Sequence, residues 1–209
     1  GHETAYMQLV SERLGVPFDK IRVFQGDSDL IKSGGGTGGA RSLYSEGGAI
    51  LGASDIIVSK GKQVASNLLE AAAADIEFEA GVFRIAGTDR KVGIMEVAQA
   101  ARDPAKRPAE LANGLEAEAN FGVAGTFPNG CHIAEVEVDE GTGQVALVAY
   151  TVVDDMGRVI NPMILEGQAH GGIAQGVGQA LLERTVYDDT GQLLSGSFMD
   201  YCMPRADDL

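Results

Sequence analysis

The sequence predicts an α+β fold in which helices are layered on mixed or antiparallel sheets. Long Ala- and Leu-rich stretches without proline indicate helices, whereas paired short β runs joined by turn residues indicate antiparallel hairpins. No regular β-α-β rhythm runs through the chain, which disfavours a doubly wound sheet. The 209 residues suffice for one large domain or two small ones, and the 44% apolar content can fill a core.

The first half of the chain, residues 1–105, opens with a helix predicted over residues 3–14, because apolar residues recur at helical spacing and Gly15 provides a stop. The alternation in residues 20–25 predicts a short strand. After a glycine-rich loop, one long helix or two successive helices are predicted from residue 42 to about residue 75.

Two short β runs follow in residues 76–87, and the dipeptide Ala80-Gly81 between them predicts a hairpin turn. Residues 91–102 predict a strand end and a helix of about three turns. The segment 103–113 contains two prolines and mixed charge, and it is the best candidate for an exposed connection between the two halves.

The second half, residues 106–209, begins with strands and ends with a helix and an extended segment. Three strands are predicted, at residues 115–122, 132–139 and 144–155, with turn chemistry between the last two. A helix is predicted from about residue 162 to residue 184. We find no repeat at a fixed period.

Charge and cysteine content narrow the classes of function. A formal net charge of -14 repels polyphosphate backbones and anionic membrane surfaces, so nucleic acid is not expected as a general partner. No transmembrane stretch is predicted. Cys131 and Cys202 have no CxxC spacing, so neither a zinc site nor a disulfide framework is indicated, although a single bridge stays open. A cytoplasmic location fits best.

The most distinctive local feature is the run GGGTGGARS, residues 34–42. It contains GxGxxG, but the predicted strand ends well before Gly34 and no Asp or Glu closes a second strand about twenty residues further on. Bare backbone before a helix start instead predicts a phosphate or pterin cradle, with Thr37 and Ser42 as hydroxyl donors and Arg41 as a partner for a phosphate. The alternative is a flexible surface loop.

A second glycine-dense stretch, residues 166–183, lies inside an otherwise helical pattern. Each of its five glycines costs about 1 kcal/mol relative to alanine. This predicts the close approach of a backbone or of a buried ligand, with Gln168, His170 and Gln175 able to reach it. The alternative is tight packing of the helix on a sheet.

The remaining polar residues favour ordinary structural roles. His2, His132 and His170 lack metal-ligand spacing, so no protein-held metal site is predicted. Asp154 and Asp155 follow a β run and precede Gly157, so a turn or a helix cap is favoured over carboxylate chemistry.

Six motifs in order resemble the molybdenum-binding large subunit of the xanthine dehydrogenase/aldehyde oxidase family. They are GHET, LGVPFDKIRVFQGDSD, GGGTGGARS, TFPNGCHIAEVEVD, VVDDMGRVINP and GQAHGGIAQGVGQAL, and the resemblance runs from Gly1 to Leu209. Within the family, the sequence of these motifs is most similar to the bacterial branch that includes aerobic carbon monoxide dehydrogenase.

The resemblance implies the family's α+β molybdopterin-binding domain with duplicated β-α units, and both halves of the chain as parts of one cofactor-binding region. The cofactor would be molybdopterin, as the cytosine dinucleotide, carrying molybdenum. Gln168 matches a glutamine that reaches the pterin, and Gly1 and His2 match the end of a GQGH motif. The positions that match the family's cofactor loop are Thr37, Gly38, Gly39, Ala40 and Ser42.

The same resemblance predicts a fragment from the C-terminal region of a larger subunit, with no catalytic residue of its own. The family's general-base glutamate is expected beyond Leu209, and neither Glu166 nor Glu183 matches it. Neither cysteine matches the special cysteine of the carbon monoxide branch. We therefore expect the 209 residues alone to be inactive.

The implied function is that of an oxidoreductase that oxidises a small substrate such as CO, an aldehyde or an N-heterocycle with water. Its implied partners are an iron-sulfur small subunit and an FAD-binding medium subunit, in a dimer of heterotrimers. The alternative is a noncatalytic module that binds a dinucleotide or assembles subunits. A nucleotide-dependent dehydrogenase would require a strand that runs directly into Gly34.

Overall fold

A computed structural model describes residues 1–31, 34–122 and 124–208 of the chain. The chain forms two compact units, Gly1–Thr126 and Phe127–Leu209, which we describe separately as unit 1 and unit 2. The predicted connection at residues 103–113 lies inside unit 1, where Leu111 is buried. The division into cofactor-binding halves after residue 105 stays a prediction.

Unit 1 contains two long helices that the sequence predicts, α1 (His2–Leu14) and α2 (Ser42–Leu69). Helix α1 ends at Gly15, whose φ of 65° is the left-handed conformation that glycine adopts without strain. Helix α2 is a single helix, and it ends earlier than expected because Glu70 turns into the left-handed region. The side chain of Arg90 donates to the carbonyl of Leu69 and so satisfies one of the terminal acceptors.

Helices α1 and α2 pack side by side and run in the same direction. Three contacts, which advance together along both helices, establish this: Tyr6 bonds to Glu46, Leu9 packs on Gly47, and Arg13 pairs with Asp55. The first contact lies four residues after the start of each helix. The two helices therefore begin at the same end of unit 1.

The predicted hairpin is present and belongs to a three-stranded antiparallel sheet. Its strands are β1 (Ile76–Glu79), β2 (Val82–Ile85) and β3 (Lys91–Gly93), in that spatial order. Ala80 and Gly81 form the turn, and both have positive φ, as in a type I′ hairpin turn. A short helix, α3 (Ile94–Ala100), follows β3 and is about one turn shorter than predicted.

The core of unit 1 lies between α2, α3 and the sheet. Its largest fully buried side chains are Phe83, Ile76, Val64 and Val97. Helix α2 reaches the sheet closely at Gly61, where a Cβ atom would stand 2.3 Å from the ring of Phe83. The apolar faces of the helices and of the sheet thus meet in one cluster.

Two strand predictions for unit 1 are wrong. Residues 21–25 are extended but belong to no sheet, and Phe24 is 64% exposed. Residues 115–122 also form no strand. Both segments alternate apolar and polar residues, but among the described residues neither has a neighbouring strand to complete its hydrogen bonds.

Unit 2 contains a long antiparallel hairpin of β4 (Asn129–Val138) and β5 (Val145–Asp155), as predicted. A bulge interrupts the pairing between Glu135 and Val136. At the turn, the carboxylate of Asp139 accepts hydrogen bonds from the backbone of Gly141 and Thr142. The Thr142 hydroxyl also donates to this carboxylate and has the largest effect on it. Together the three bonds hold the pKa of Asp139 below its usual value.

Helix α4 (Pro162–Val177) confirms the glycine-bearing helix of the sequence analysis. The side chain of Asn161 caps its start by accepting from the N–H of Ile164 at 2.9 Å. A π-helical turn, Gly178–Leu182, extends the helix nearly to the predicted end. The last segment forms one isolated bridge, Tyr187 to Leu193, where a longer extended run was expected.

Within the described ranges, no helix is long and apolar enough to cross a membrane.

Candidate functional site

The end of unit 1 where α1 and α2 begin contains two residues that the sequence analysis assigned to the cofactor site. His2 is the first residue of α1, and Ser42 is the first residue of α2. The start of a helix carries about half a positive charge and N–H groups without intrahelical partners. Two helix starts at one end of the unit therefore favour a negatively charged ligand there.

A cleft of about 420 Å³ lies at the start of α1. It is lined by Gly1, His2, Glu3, Val23 and Gln25. Its volume is within the range of about 300–1,000 Å³ that is usual for small-molecule sites. The sequence analysis missed Val23 and Gln25 as lining residues, because it assigned their segment to a sheet.

His2 is oriented by Tyr6, which lies one helical turn later. Their rings stack, with centroids 5.7 Å apart and planes inclined by 23°. Burial of Tyr6, together with the charge and hydrogen bond of Glu46, raises the pKa of the phenol to about 12. At neutral pH the phenol thus keeps its proton, and its hydrogen bond to Glu46 links the two helices about one turn after their starts.

The glycine-rich loop leads directly into α2 and is exposed along residues 34–41. Gly36, Gly39 and Ala40 have positive φ, at 68°, 59° and 56°. A Cβ atom added at Gly34 or Gly38 would meet no described atom within 4 Å. The loop therefore presents open backbone, as an anion cradle requires.

The polar side chains of this loop contact the loop itself. The Ser42 hydroxyl donates to the hydroxyl oxygen of Thr37 at 3.2 Å, and Ser42 is buried. Nη2 of Arg41 donates to the carbonyl oxygen of Gly35 at 2.7 Å. No strand runs into Gly34 in the described part of residues 21–34, so the requirement for a GxGxxG dehydrogenase is not met there.

Helix α4 of unit 2 presents a bare face that includes Gln168. Gly171, Gly172 and Gln175 follow Gln168 at spacings of three, four and seven residues, so they share its face of the helix. An added Cβ at either glycine would meet no atom of unit 2 within 4 Å. Tight packing on the sheet of unit 2 is thus wrong as the reason for these glycines.

Only the last glycine of this stretch is tightly packed within unit 2. A Cβ atom at Gly178 would lie 2.5 Å from Oε1 of Glu183 and 2.7 Å from Cγ of Pro204. The other carboxylate oxygen of Glu183 accepts from the hydroxyl of Tyr201, and this bond raises the pKa of that phenol. Glu183 therefore fixes the fold at the end of the π-helical turn.

A cluster that the sequence analysis missed lies on one face of the β4–β5 hairpin. His132 bonds through Nδ1 to the Tyr150 hydroxyl at 3.0 Å and through Nε2 to Oδ1 of Asp154 at 3.1 Å. The role of Asp154 as a turn or cap residue is thus wrong, whereas Asp155 does accept from the N–H of Gly157. The strand register brings the three side chains together. Val152 lies opposite His132, and Tyr150 and Asp154 lie two residues before and after Val152, on the same face of the hairpin.

No group of three or more His, Cys, Asp or Glu side chains suited to a metal ion occurs in the part of the chain that the structure describes.

Comparison with known proteins identifies the family. The molybdopterin cofactor-binding domain family matches the chain over residues 1–209. The chain belongs to this family. The chain is 37% identical over 211 residues to the 6-hydroxypseudooxynicotine dehydrogenase complex subunit gamma of Paenarthrobacter nicotinovorans, and the match covers 100% of the chain and 26% of that protein. It is 37% identical over 213 residues to the carbon monoxide dehydrogenase large chain of Hydrogenophaga pseudoflava, covering 99% of the chain and 26% of the relative.

Solved structures agree with this assignment. The chain superposes on CO dehydrogenase from Oligotropha carboxidovorans with a TM-score of 0.89 and 34% identity, over 99% of the chain and 26% of that protein. For quinoline 2-oxidoreductase from Pseudomonas putida 86 the TM-score is 0.86 with 38% identity, over 100% and 27%. The predicted α+β fold of this family is therefore confirmed. The chain spans about a quarter of the length of the relatives that it matches.

Proposed function

We propose that the complete protein is a molybdenum-dependent oxidoreductase, and that this chain supplies part of the site that binds its molybdopterin, as the cytosine dinucleotide. The observation that carries the proposal is the arrangement of unit 1. Two parallel helices begin at one end, beside a cleft, and an exposed glycine loop leads into the second of them. Membership of the molybdopterin cofactor-binding family supports molybdopterin as the ligand of this end of unit 1.

The residues of the loop fit an anionic, pyrophosphate-bearing group. We propose that the backbone of Gly38, Gly39 and Ala40 and the hydroxyls of Thr37 and Ser42 hold the phosphates. Open space around Gly38 supports this, because it leaves room for a ligand to approach the backbone. Arg41 and His2 belong to the same end of unit 1, and Gln168 is proposed to reach the pterin from α4.

When bound, the molybdenum cofactor supplies a centre that accepts an electron pair from the substrate while water provides the oxygen. The chain's own residues bind and orient this group through N–H and O–H donors. We assign no catalytic residue to the 209 residues, and we propose that the general-base glutamate lies in another part of the complete protein. Glu183, which is held by Tyr201, supports that assignment.

The substrate class and partners are proposals from the relatives. One is called a carbon monoxide dehydrogenase large chain and another a nicotine 6-hydroxylase large subunit. We therefore propose CO, an aldehyde or an N-heterocycle as substrate. An iron-sulfur subunit and an FAD-binding subunit would carry the electrons away, in a dimer of heterotrimers in the cytoplasm.

Metal and nucleotide analysis of the complete protein tests the proposal. We expect molybdenum by mass spectrometry and, after acid hydrolysis, cytidine monophosphate in equal amount. Molybdenum without the nucleotide would reject only the dinucleotide form. A well-folded complete protein with neither would reject the function, and nucleotide without molybdenum would favour the noncatalytic dinucleotide-binding alternative.

A matched pair of glycine variants tests the loop. Gly38→Val in the complete protein should abolish most molybdenum occupancy, because its side chain would fill the space proposed for the phosphates. Gly34→Val is the control, since both glycines lack positive φ and an added Cβ at either meets no described atom. Equal occupancy in the two variants, with unchanged circular dichroism, would argue against a cofactor at Gly38.

A second pair of variants tests the assignment of Gln168 to the cofactor site. Gln168→Ala should lower molybdenum occupancy, whereas Gln144→Ala, at the exposed turn of the β4–β5 hairpin, should leave it unchanged. Loss of one bond to the cofactor corresponds to roughly a tenfold weaker affinity. An unchanged occupancy in Gln168→Ala would remove this residue from the site.

A further inference from the structure

The charge of Arg41 suggests that it pairs with a phosphate, but its guanidinium contacts the backbone of the glycine loop. Its side chain folds back over the glycine loop, and Nη2 donates to the carbonyl oxygens of Gly35 at 2.7 Å and Gly36 at 3.3 Å. The fit is close, because a Cβ atom at Gly35 would lie 3.2 Å from Nη2. The guanidinium thus holds two successive peptide groups of the loop.

Because the peptide bond is planar, the contact of Arg41 with two carbonyls also sets the direction of the N–H groups that follow them. In a trans peptide, the carbonyl of one residue and the N–H of the next point in opposite directions. All peptide bonds in the described residues are trans. With the carbonyls of Gly35 and Gly36 turned toward Arg41, the N–H groups of Gly36 and Thr37 point away from it.

This orientation removes an obstacle to anion binding. Carbonyl oxygens carry partial negative charge, so a loop of free glycines would present them to a phosphate as often as it presents its N–H groups. A guanidinium that binds two carbonyls selects the arrangement in which adjacent N–H groups face the other way. Glycine at position 35 leaves room for this approach, since with a Cβ atom there the guanidinium would have to shift by a few tenths of an ångström.

We infer that Arg41 is a positioning residue for the glycine loop. It holds the carbonyls of Gly35 and Gly36 so that the N–H groups of Gly36 and Thr37 face the anionic ligand, and it does not pair with the phosphate itself. The hydrogen bond from Ser42 to Thr37 is a second tie across the same loop. The inference rests on the proposed function for the ligand, but the ordering of the loop is independent of it.

Limited proteolysis of the cofactor-free complete subunit with elastase, which cleaves after small residues, tests the ordering. In Arg41→Gln, cleavage within residues 34–42 should be about tenfold faster, because the loop loses the hydrogen bonds from a charged donor that order its backbone. Arg41→Lys should show a smaller increase, because one ammonium is a poorer bridge between two carbonyls. Arg84→Gln is the control, since Arg84 is also exposed but lies on β2. Unchanged cleavage in Arg41→Gln would overturn the inference.

Salt dependence separates positioning from direct phosphate binding. With sodium pyrophosphate as the probe, Arg41→Gln should weaken binding at low ionic strength, and a loss should remain at high ionic strength, where the effect of removing one positive charge is screened. If Arg41 instead acts only through its charge on the phosphate, wild type and variant should bind equally at high ionic strength, and that result would overturn the inference. A wild type that does not bind pyrophosphate would contradict the proposed function, while the proteolysis experiment would still decide the role of Arg41.

Discussion

At the scale of single residues, Tyr6 connects the two helix starts. It is 5% exposed, stacks on His2 and bonds to Glu46. Burial is the main reason that its pKa rises to about 12, because a phenolate would lose its hydration, and the charge of Glu46 adds to this. The residue thus stabilises the end of unit 1 only while it is protonated.

This leads to a prediction for alkaline pH. The native phenol keeps its proton up to about pH 12, whereas the unfolded chain loses it near pH 10, so folding is penalised between these values. The contribution of Tyr6 is fully present below pH 10 and is lost as the pH approaches 12. Urea unfolding followed by circular dichroism should show wild type losing more stability across this window than Tyr6→Phe.

Tyr187→Phe is the matched control, because Tyr187 is 61% exposed. We expect this variant to lose stability with pH as wild type does. A Tyr6→Phe variant with the same alkaline loss as wild type would show that the phenol of Tyr6 titrates normally.

Some features of the candidate site could be predicted from sequence, and others could not. The exposed glycine loop before α2 was predictable because glycine-rich backbone before a helix is a local signal, whereas binding through Thr37, Gly38 and Ser42 stays a prediction. The His132 cluster was not, because Tyr150 and Asp154 meet His132 only through the register of two strands. Val23 and Gln25 line the cleft because α1 and their segment are packed together, which no local pattern encodes.

At the scale of elements, glycines within helix α2 face very different surroundings. A Cβ atom at Gly61 would lie 2.3 Å from the ring of Phe83, which is fully buried. At Gly52 the nearest atom would be the Cβ of Ala119 at 3.4 Å, an ordinary contact. One glycine is therefore required by packing, whereas the other only lowers helix propensity.

Alanine substitutions should separate these two roles. Gly61→Ala should destabilise the protein by about 1–3 kcal/mol, since the ring of Phe83 must move in a filled core. Gly52→Ala should be neutral or should stabilise by up to about 1 kcal/mol through helix propensity. Urea denaturation of both variants measures the difference, and a stable Gly61→Ala would contradict the described packing of α2 on β2.

The success of sequence prediction also varied by element. Helices α1 and α2 and the β1–β2 hairpin were predicted, because their periodicity and turn residues are local. The strands expected at 20–25 and 115–122 were wrong, because a strand exists only with a partner and the alternating pattern does not supply one. The end of α2 was placed too late because a tertiary hydrogen bond from Arg90 helps to fix it.

At the scale of the whole molecule, the buried core belongs to unit 1. The core cluster extends from Leu14 to Leu111. In unit 2, all ten residues of β4 are exposed, and Val177 is the buried hydrophobic residue among those described. Burial of apolar surface is the dominant favourable contribution to folding, so the two units should differ in local stability.

Hydrogen exchange of the 209-residue chain should show this difference. We expect the amides of β1 and β2 to exchange slowly, through cooperative unfolding of unit 1, and those of β4 and β5 to exchange much faster, through local opening. The two hairpins serve as controls for each other, because both are antiparallel and have short turns. Equal protection of both hairpins would contradict the prediction.

The parallel course of α1 and α2 sets the length of the chain between them. Helix α1 has 13 residues, which corresponds to a rise of about 20 Å that the chain must retrace before α2 can begin at the same end. About six extended residues would cover that distance. The connection has 27 residues, Gly15 through Arg41, so it is several times longer than the return path requires.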